Sequence, residues 1–302
     1  MKLFVSGLVN VETNLRIRSF PVTYYPIDYP FFGIKSNVSG VGYNISRAAM
    51  KLGDDVTMCS LIGKDYEASR IIDALDKAGI KKDYVFDALD TTPVSIVLHE
   101  PGDGGRRQVY CDLKDIQEKN IDSAGVIDAM KASDVCVLCN TNFNRPLLPV
   151  AKEAGKIIAT DVHVISDKFD PFNRDFMRHA DILFLSDEDL PDAPEQFLHV
   201  LKSEYGAKII VIGLGREGVV MYERETDSIV RLPAVKIGGV VNTVGAGDAL
   251  FASFIHYYGK CSAVEALKRA EVFAALKIRH DGGARGFSTE EQVEEVFSSY
   301  NF

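Results

Sequence analysis

Short apolar runs alternate with segments of helical periodicity along most of this 302-residue chain. The run KLFVSGLV at residues 2–9 is typical of a buried strand, and GYNISRAAMKLG at 42–53 carries apolar side chains at helical spacing until Gly53. This alternation predicts an α/β fold with a doubly wound, mostly parallel sheet flanked by helices. Further strand-like runs are DVTMCSLIG (55–63), DVCVLC (134–139), KIIATD (156–161), DILFLS (181–186) and AKIIVIG (207–213), separated by helical stretches at 65–80, 144–155 and 194–206.

Two regions break this alternation because neither contains a crossover helix. Residues 13–38 hold Leu15 and Ile17 in alternation, followed by aromatic residues and prolines, and residues 92–112 hold two strand-like runs around a Pro/Gly-rich turn. We expect both to form a small antiparallel β-sheet that projects from the main layer as a lid or a dimer surface. The length suits one large domain with an appendage, or two domains, and we expect a single domain over 1–302.

Composition excludes several classes of function. Asp plus Glu is 43 against 34 for Lys plus Arg, and the net charge of −9 argues against a nucleic-acid partner. The chain has neither a basic-then-apolar leader nor an apolar run of about 18 residues, so we expect a cytoplasmic protein without a membrane partner. Cys136 and Cys139 would point to opposite faces of one strand, which favours buried thiols over a zinc site.

The segment NTVGAGDALFASFIHYY at residues 242–258 joins small residues and one carboxylate to an apolar helical pattern. That pattern begins at Asp248. The preceding Gly245, Ala246 and Gly247 therefore lie at a helix N-terminus, where backbone N–H groups without helical partners can bind an anion. A carboxylate there would repel a resting phosphate unless it takes a proton from the attacking hydroxyl. This stretch alone leaves two interpretations open, a general base in phosphoryl transfer or an N-cap after a tight turn.

A second glycine-rich segment, NVSGVGYNIS, precedes the first predicted helix. Gly40 and Gly42 would let the chain pass close to a ligand, and Asn44 begins the helix. The Asn44 amide can both donate to and accept from sugar hydroxyls, or it can simply cap the helix.

A third segment, IGLGREGVV, matches the dinucleotide pattern G-x-G-x-x-G at Gly213, Gly215 and Gly218. That fingerprint opens a helix after the first strand of a βαβ unit, whereas residues 218–232 have the pattern of a strand, a polar turn and a second strand. We therefore predict a hairpin here and not an NAD site. The chain also lacks a G-x-x-x-x-G-K-[ST] phosphate loop.

Taken together, these segments resemble the PfkB family of ribokinase-like sugar and nucleoside kinases. SGLVN, SGVGYNISRAAMKLG, LIGKD, LFLSDEDL, IGLGREGV and NTVGAGDA match it in order along most of the chain. The resemblance implies a Rossmann-like core with a small β-sheet lid, and an ATP-dependent kinase acting on a hydroxyl of a sugar or sugar derivative. It implies ATP and Mg²⁺ as cofactors and makes a monovalent cation such as K⁺ a further candidate.

The same resemblance assigns roles to individual positions. It implies that Asp248 is the catalytic base and that the backbone of Gly245, Ala246 and Gly247 is the anion hole. The implied acceptor-binding residues are Asn10, Glu12, Gly40, Gly42 and Asn44, the implied nucleotide-binding residues are Ser186, Gly213, Gly215, Gly218 and Thr243, and the implied magnesium ligand is Asp189.

The chain departs from the family pattern at several positions. Glu12 stands where an Asp is usual, and Ser39 replaces the first glycine of the usual Gly-Gly pair. Ser186 and Asp189 stand where the family typically has Asn and Glu, around the magnesium ion and its waters. Asn242 replaces an Asp that lies near the family's monovalent-cation site.

The identity of the acceptor is left open by the sequence. GVGYNI is similar to the pseudouridine kinase branch, and aromatic residues of the predicted lid could stack on a base, although packing within the lid or across a homodimer is the alternative. His163, after a strand, is interpreted as structural. The other candidate functions are therefore a pseudouridine or other nucleoside kinase and a non-catalytic sugar- or nucleotide-binding protein of this fold. The lid aromatics are Phe20, Tyr24, Tyr25, Tyr29, Phe31 and Phe32.

Overall fold

Two sheets organise the chain in the computed structural model, which describes residues 1–101 and 106–302. The turn expected within 92–112 lies partly outside these residues. No helix in the described ranges is long and apolar enough to cross a membrane. The strands are β1 (Lys2–Ser6), β2 (Asn10–Arg16), β3 (Ile34–Ser39), β4 (Asp55–Ile62), β5 (Lys81–Asp87), β6 (Val94–His99), β7 (Arg107–Asp112), β8 (Val135–Leu138), β9 (Ile157–Asp161), β10 (Ile182–Ser186), β11 (Ile209–Gly213), β12 (Val219–Glu223) and β13 (Ser228–Leu232). The helices are α1 (Val41–Lys51), α2 (Tyr66–Ala78), α3 (Ser123–Ala132), α4 (Leu147–Glu153), α5 (Arg174–His179), α6 (Pro194–Glu204), α7 (Ala246–Tyr257), α8 (Ala263–Lys277) and α9 (Glu290–Ser299).

The large sheet contains nine strands of the described chain, in the order β13-β12-β11-β10-β9-β8-β1-β4-β5. Its pairings are parallel except for β11–β12 and β12–β13, which form the predicted hairpin. Side chains alternate between its faces, so that Leu3 and Val5 pack against one helix layer and Phe4 against the other. The first layer holds α1, α2, α7, α8 and α9, and the second holds α3 to α6. The doubly wound fold predicted from the sequence is confirmed.

The strand order of the large sheet reverses at β1, which lies between β4 and β8. Gly7 follows β1, and Cys139 follows β8 at the neighbouring strand end, with the Gly7 N–H and the Cys139 N–H both bonded to strand carbonyls. In open α/β sheets, ligands bind outside the carboxyl ends of the strands at such a reversal. Cys136 packs on the opposite face from Cys139, as the strand periodicity predicted.

The small sheet, as far as the described residues form it, has the order β3-β2-β6-β7. β2–β3 and β6–β7 are antiparallel as expected, but the central pair β2–β6 is parallel, with Val11 opposite Val94. The reason is that no turn joins β2 to β6: β3, α1, β4, α2 and β5 lie between them, and such a crossover permits parallel pairing. β2 also begins at Asn10, before the expected boundary at residue 13, so Asn10 and Glu12 belong to this sheet.

The two faces of the small sheet differ in polarity. Asn10, Glu12 and Asn14 share one face because strand side chains alternate, and Ser39 lies opposite Asn10 on the same face. The other face, which we call the outer face, carries the apolar residues Ile34, Ile96 and Tyr110, which are 60%, 48% and 53% exposed. The polar face is directed towards α1, as the hydrogen bonds of the candidate site demonstrate.

Candidate active site

The glycine-rich helix start predicted from the sequence is present at the beginning of α7. Gly245 precedes the helix with φ 78°, and a Cβ there would collide with the Gly283 carbonyl oxygen, so this position requires glycine. The Ala246 N–H donates to the Thr243 carbonyl at 3.1 Å. Within the described residues the N–H groups of Gly245 and Gly247 have no such acceptor, and these two are therefore available to an anion.

Asp248 lies half-buried in the first turn of α7. Asn44 Nδ2, on α1, donates to Asp248 Oδ2 at 2.7 Å. Burial raises the pKa of Asp248 to about 6, and the Asn44 hydrogen bond offsets part of this rise. Positive charge at His163 and Lys277 also lowers the pKa of Asp248, whereas the negative charge of Asp161 raises it. A carboxylate with this pKa is largely ionised at neutral pH and is a stronger base than an exposed aspartate.

A row of buried polar side chains connects Asp248 to the small sheet. Ser39 Oγ lies 3.3 Å from Asn44 Oδ1 and 3.2 Å from Glu12 Oε2. Because the hydroxyl has a single proton, it can donate to only one of these two oxygens at a time. Glu12 Oε1 accepts from Asn14 Nδ2 at 2.9 Å. Ser39, a departure from the family pattern, thus lies between two of the predicted acceptor-binding residues.

Two buried amide oxygens on this polar face have no partner among the described residues. Asn10 Nδ2 donates to Ser95 Oγ at 3.0 Å, but Asn10 Oδ1 accepts no hydrogen bond, and neither does Asn14 Oδ1. Leaving such an acceptor unsatisfied costs about 1–3 kcal/mol. A ligand rich in hydroxyl groups could donate to both oxygens and remove that cost.

A cavity of about 300 Å³ adjoins the row of polar side chains. Asn14 is shared between the row and the cavity wall, and Asp281, which also lines the cavity, directly precedes the glycine loop that contacts the start of α7. Arg16, Phe32 and His99 also line this cavity. Small-molecule sites commonly measure about 300–1,000 Å³, so this volume suits a ligand of modest size.

The close approaches of Gly40 and Gly42 are to the protein's own backbone. A Cβ on Gly42 would lie 2.8 Å from the carbonyl carbon of Gly7, and a Cβ on Gly40, which has φ 103°, would lie 2.6 Å from the Leu8 oxygen. The backbone at the start of α1 therefore lies in close contact with the backbone at the end of β1. The consequence of these contacts for the site is indirect, since they fix where Asn44 points.

The residues predicted to bind the nucleotide lie at the carboxyl ends of β10 and β11. Ser186 and Gly213 are register partners there. Gly215 opens a short 3-10 turn after β11. Gly218 has φ 99°, and a Cβ on it would collide with the Leu232 carbonyl oxygen, so this glycine is required by the hairpin.

Thr243 and Asp189 occupy different surroundings. Arg107, on β7, donates to Thr243 Oγ1 at 3.1 Å and so connects the small sheet to the loop before α7. Asp189 is exposed in the turn after β10. In the described ranges no hydrogen bond or ion pair joins Asp189 to the other predicted site residues, and no group of three or more potential metal ligands occurs.

Several charged residues near Asp248 were not predicted from the sequence. The His163 N–H donates to Asp161 Oδ1 at 2.8 Å, and His163 Nδ1 is 3.6 Å from Asp161 Oδ2. Asp161 thus holds the turn that carries His163, and the interpretation of His163 as structural stays a prediction. The available signal was the position of Asp161 at the carboxyl end of a parallel strand. No pattern in the sequence indicated that Lys277 or Arg107 lies near the candidate site.

Comparison with known proteins shows the family to which the chain belongs. The model of the pfkB family of carbohydrate kinases matches residues 22–290, and the chain belongs to this family. Its relatives include a deoxyribokinase of Salmonella typhi, 25% identical with 99% of each chain covered. A nucleoside kinase of Methanothermobacter thermautotrophicus is 24% identical, with 82% of this chain and 79% of that protein covered. The family resemblance seen in the sequence is confirmed, and the protein is a carbohydrate kinase.

Solved structures agree on the fold over nearly the whole chain. A microbiome-derived acarbose kinase superposes with a TM-score of 0.88 at 25% identity, covering 98% of both chains. Arabidopsis thaliana ribokinase complexed with ribose and ATP superposes with a TM-score of 0.80 at 19% identity, also covering 98% of both chains. The core and the small sheet therefore have the ribokinase fold.

Proposed function

We propose that this kinase transfers the γ-phosphoryl group of ATP to a hydroxyl of a sugar or sugar derivative. Asp248 takes the proton from the acceptor hydroxyl, and the N–H groups of Gly245 and Gly247 stabilise charge on the phosphoryl group in transit. The observation that carries this proposal is the pairing of the Asn44 amide with a half-buried Asp248 at a helix start. Asn44 orients the carboxylate and leaves its second oxygen, Oδ1, to meet the hydroxyl.

The nucleotide side of the proposal rests on the strand ends of β10 and β11. Ser186 supplies a hydroxyl group there, and Gly213 and Gly215 supply backbone without a Cβ. Thr243 lies in the loop before α7. Bound Mg²⁺ would supply positive charge that neutralises the phosphates of ATP, and Asp189 would hold it. Magnesium takes most of its ligands from phosphates and water, so a single exposed carboxylate such as Asp189 is chemically sufficient on the protein side.

The acceptor side rests on the cavity beside the polar row. Glu12 and Asn44 approach the reacting end, and the unsatisfied oxygens of Asn10 and Asn14 can accept from further hydroxyls. Phe32, which is 94% exposed and lines the cavity, supports a nucleoside as the second candidate acceptor, because its ring can stack on a base.

A panel of acceptors tests the proposal. Free pentoses and hexoses, deoxyribose, common nucleosides and pseudouridine are incubated with MgATP, and both ADP and phosphorylated product are measured. Product from at least one acceptor, formed at least about a hundredfold more slowly by the Asp248→Asn variant, supports phosphoryl transfer at this site. Binding of sugars without product from any acceptor would contradict it and favour the non-catalytic alternative.

The pH dependence of turnover should report the titration of Asp248. Since the base must be ionised to accept a proton, kcat/KM should fall about tenfold per pH unit below an apparent pKa of about 6 and level off above it. The groups that face this carboxylate are Asn44 on α1, Lys277 on α8, Asp161 at the end of β9 and His163 just after it. The profile is measured with the best acceptor at saturating ATP. If kcat/KM fell only below about pH 4, burial would not raise the pKa of Asp248, and this prediction would be wrong.

We also propose a homodimer through the outer face of the small sheet. Ile34, Ile96 and Tyr110 expose apolar area there, and contiguous exposed apolar area is typical of protein interfaces. Multi-angle light scattering should give twice the chain mass for the wild type and one chain mass for the double variant Ile34→Lys, Ile96→Lys. Phe169→Lys, at an exposed apolar residue outside the sheet, is the matched control and should stay dimeric. A monomeric wild type at micromolar concentration would contradict the proposal.

A further inference from the structure

Lys277, in the last turn of α8, is a fully buried cation that the proposed chemistry does not use. Its side chain is 0% exposed, and its ammonium donates to the carbonyl oxygens of Val244 and of Gly282, the latter at 2.9 Å. Among the described residues, no carboxylate lies within ion-pair distance of this ammonium. An isolated buried charge is strongly unfavourable, so this lysine needs compensation from the groups around it.

That compensation comes from the acidic residues of the candidate site. Burial lowers the pKa of Lys277 to about 8, and the charges of Asp248, Glu12 and Asp281 oppose this shift. The ammonium is therefore protonated at neutral pH. It is a positive charge enclosed in the protein next to a site that must receive a highly charged phosphate.

The two carbonyls bound by Lys277 belong to the loops that shape the anion hole. Val244 immediately precedes Gly245, and Gly282 immediately precedes Gly283, whose carbonyl packs against Gly245. A Cβ on Gly283 would also lie 2.7 Å from Ser39 Oγ, so the second loop reaches the polar row. The ammonium thus joins the loop before α7 to the loop after α8.

The same loops are poorly suited to a free potassium ion. Backbone carbonyls are the ligands that proteins use for K⁺, and here two of them already accept hydrogen bonds from an ammonium. Asn242 brings no negative charge: its Oδ1 accepts from the Val244 N–H at 2.8 Å, and its Nδ2 donates to Asp281 Oδ1 at 3.0 Å. A second cation at these carbonyls would be repelled by the first.

We infer that the Lys277 ammonium is a built-in monovalent cation that positions the anion hole, so that turnover does not depend on potassium. It holds Val244 and Gly282 in the arrangement that presents the N–H groups of Gly245 and Gly247, and it adds positive charge behind them. Lys277 is a positioning residue, since it acts through the backbone and does not touch the reacting atoms. The inference rests on the proposed function for its effect on turnover.

The experiment compares cations in the wild type and two variants. Lys277→Ala leaves room for a cation, whereas Lys277→Met keeps the length of the side chain and removes the charge. In choline buffer both variants should lose about tenfold or more in kcat, less than the direct loss of an anion-hole donor. Potassium or methylammonium should restore most of the kcat of Lys277→Ala and none of that of Lys277→Met. The wild type should differ by less than about twofold between potassium and choline.

A second readout does not depend on catalysis. Potassium should raise the melting temperature of Lys277→Ala relative to choline and leave those of the wild type and Lys277→Met unchanged, because a cation can bind the vacated carbonyls. Lys51→Ala, at an exposed lysine of α1, is the control and should respond to neither cation. If no acceptor is phosphorylated by the wild type, the proposed function fails, and these melting temperatures still decide the cation site.

Three outcomes would overturn the inference. The first is a wild type that potassium activates about tenfold or more, a result that requires no variant to fold. The second is a Lys277→Ala variant with wild-type kcat in choline. The third is a folded Lys277→Ala variant whose kcat and melting temperature are both insensitive to potassium and methylammonium.

Discussion

Replacing Asp248 by Asn should lower kcat by about 10²–10⁴, the contribution of a positioned general base, while the dissociation constant for the nucleotide stays within about twofold. An amide has nearly the same shape as the carboxylate, and its oxygen can still accept from Asn44 Nδ2, so the geometry of the α7 start is preserved. What the variant lacks is a group able to accept the hydroxyl proton. Steady-state kinetics and calorimetric titration of the nucleotide give the two values.

The matched control for this variant is Asp175→Asn. Asp175 also lies in the first turn of a helix, α5, but in the opposite helix layer, where its partner is Arg145 at 2.9 Å. Its kcat should equal that of the wild type. Turnover of Asp248→Asn at the wild-type level would remove Asp248 from the chemistry and leave it as an N-terminal helix residue.

Gly245→Ala should damage both stability and turnover. Alanine in the left-handed conformation found there costs about 1–2 kcal/mol, and its Cβ would meet the Gly283 carbonyl oxygen. The loop must move to relieve that contact, and the N–H groups at the start of α7 move with it. We expect a lower melting temperature and a kcat reduced by about tenfold or more.

Gly247→Ala separates the steric effect from a general effect of replacing glycine. Gly247 is in the first turn of α7, and a Cβ there would meet no atom of the described chain within 4 Å. Since alanine favours helix over glycine by up to about 1 kcal/mol, the melting temperature should be unchanged or higher. Equal melting temperatures for Gly245→Ala and the wild type would contradict the tight contact with Gly283.

The sequence carries enough information to identify the central pair of the site. Asp248 and Asn44 each lie in the first turn of a helix that follows a glycine-rich segment, and both the apolar spacing and the turn residues are local features. The direct hydrogen bond between them, across 204 positions of the chain, could not be read from local patterns. It depends on α1 and α7 packing side by side on one face of the large sheet.

The burial of Lys277 could not be predicted from local sequence patterns. A lysine in the last turn of a helix is ordinarily exposed and interacts favourably with the helix dipole. Its burial follows from two loops, around Val244 and Gly282, that close over it and are not recognisable from the helix sequence. The parallel β2–β6 pair was missed for a similar reason, because alternation identifies a strand but not its partner.

The parallel pairing of β2 with β6 also constrains how the chain assembles. Val11 must meet Val94, and the intervening chain contains two strands of the large sheet and two helices. Closing so long a loop is entropically unfavourable until the intervening elements have brought its ends together. During synthesis, β2 therefore emerges long before its central partner exists, and the polar side chains on it take their places only after much of the N-terminal half has folded.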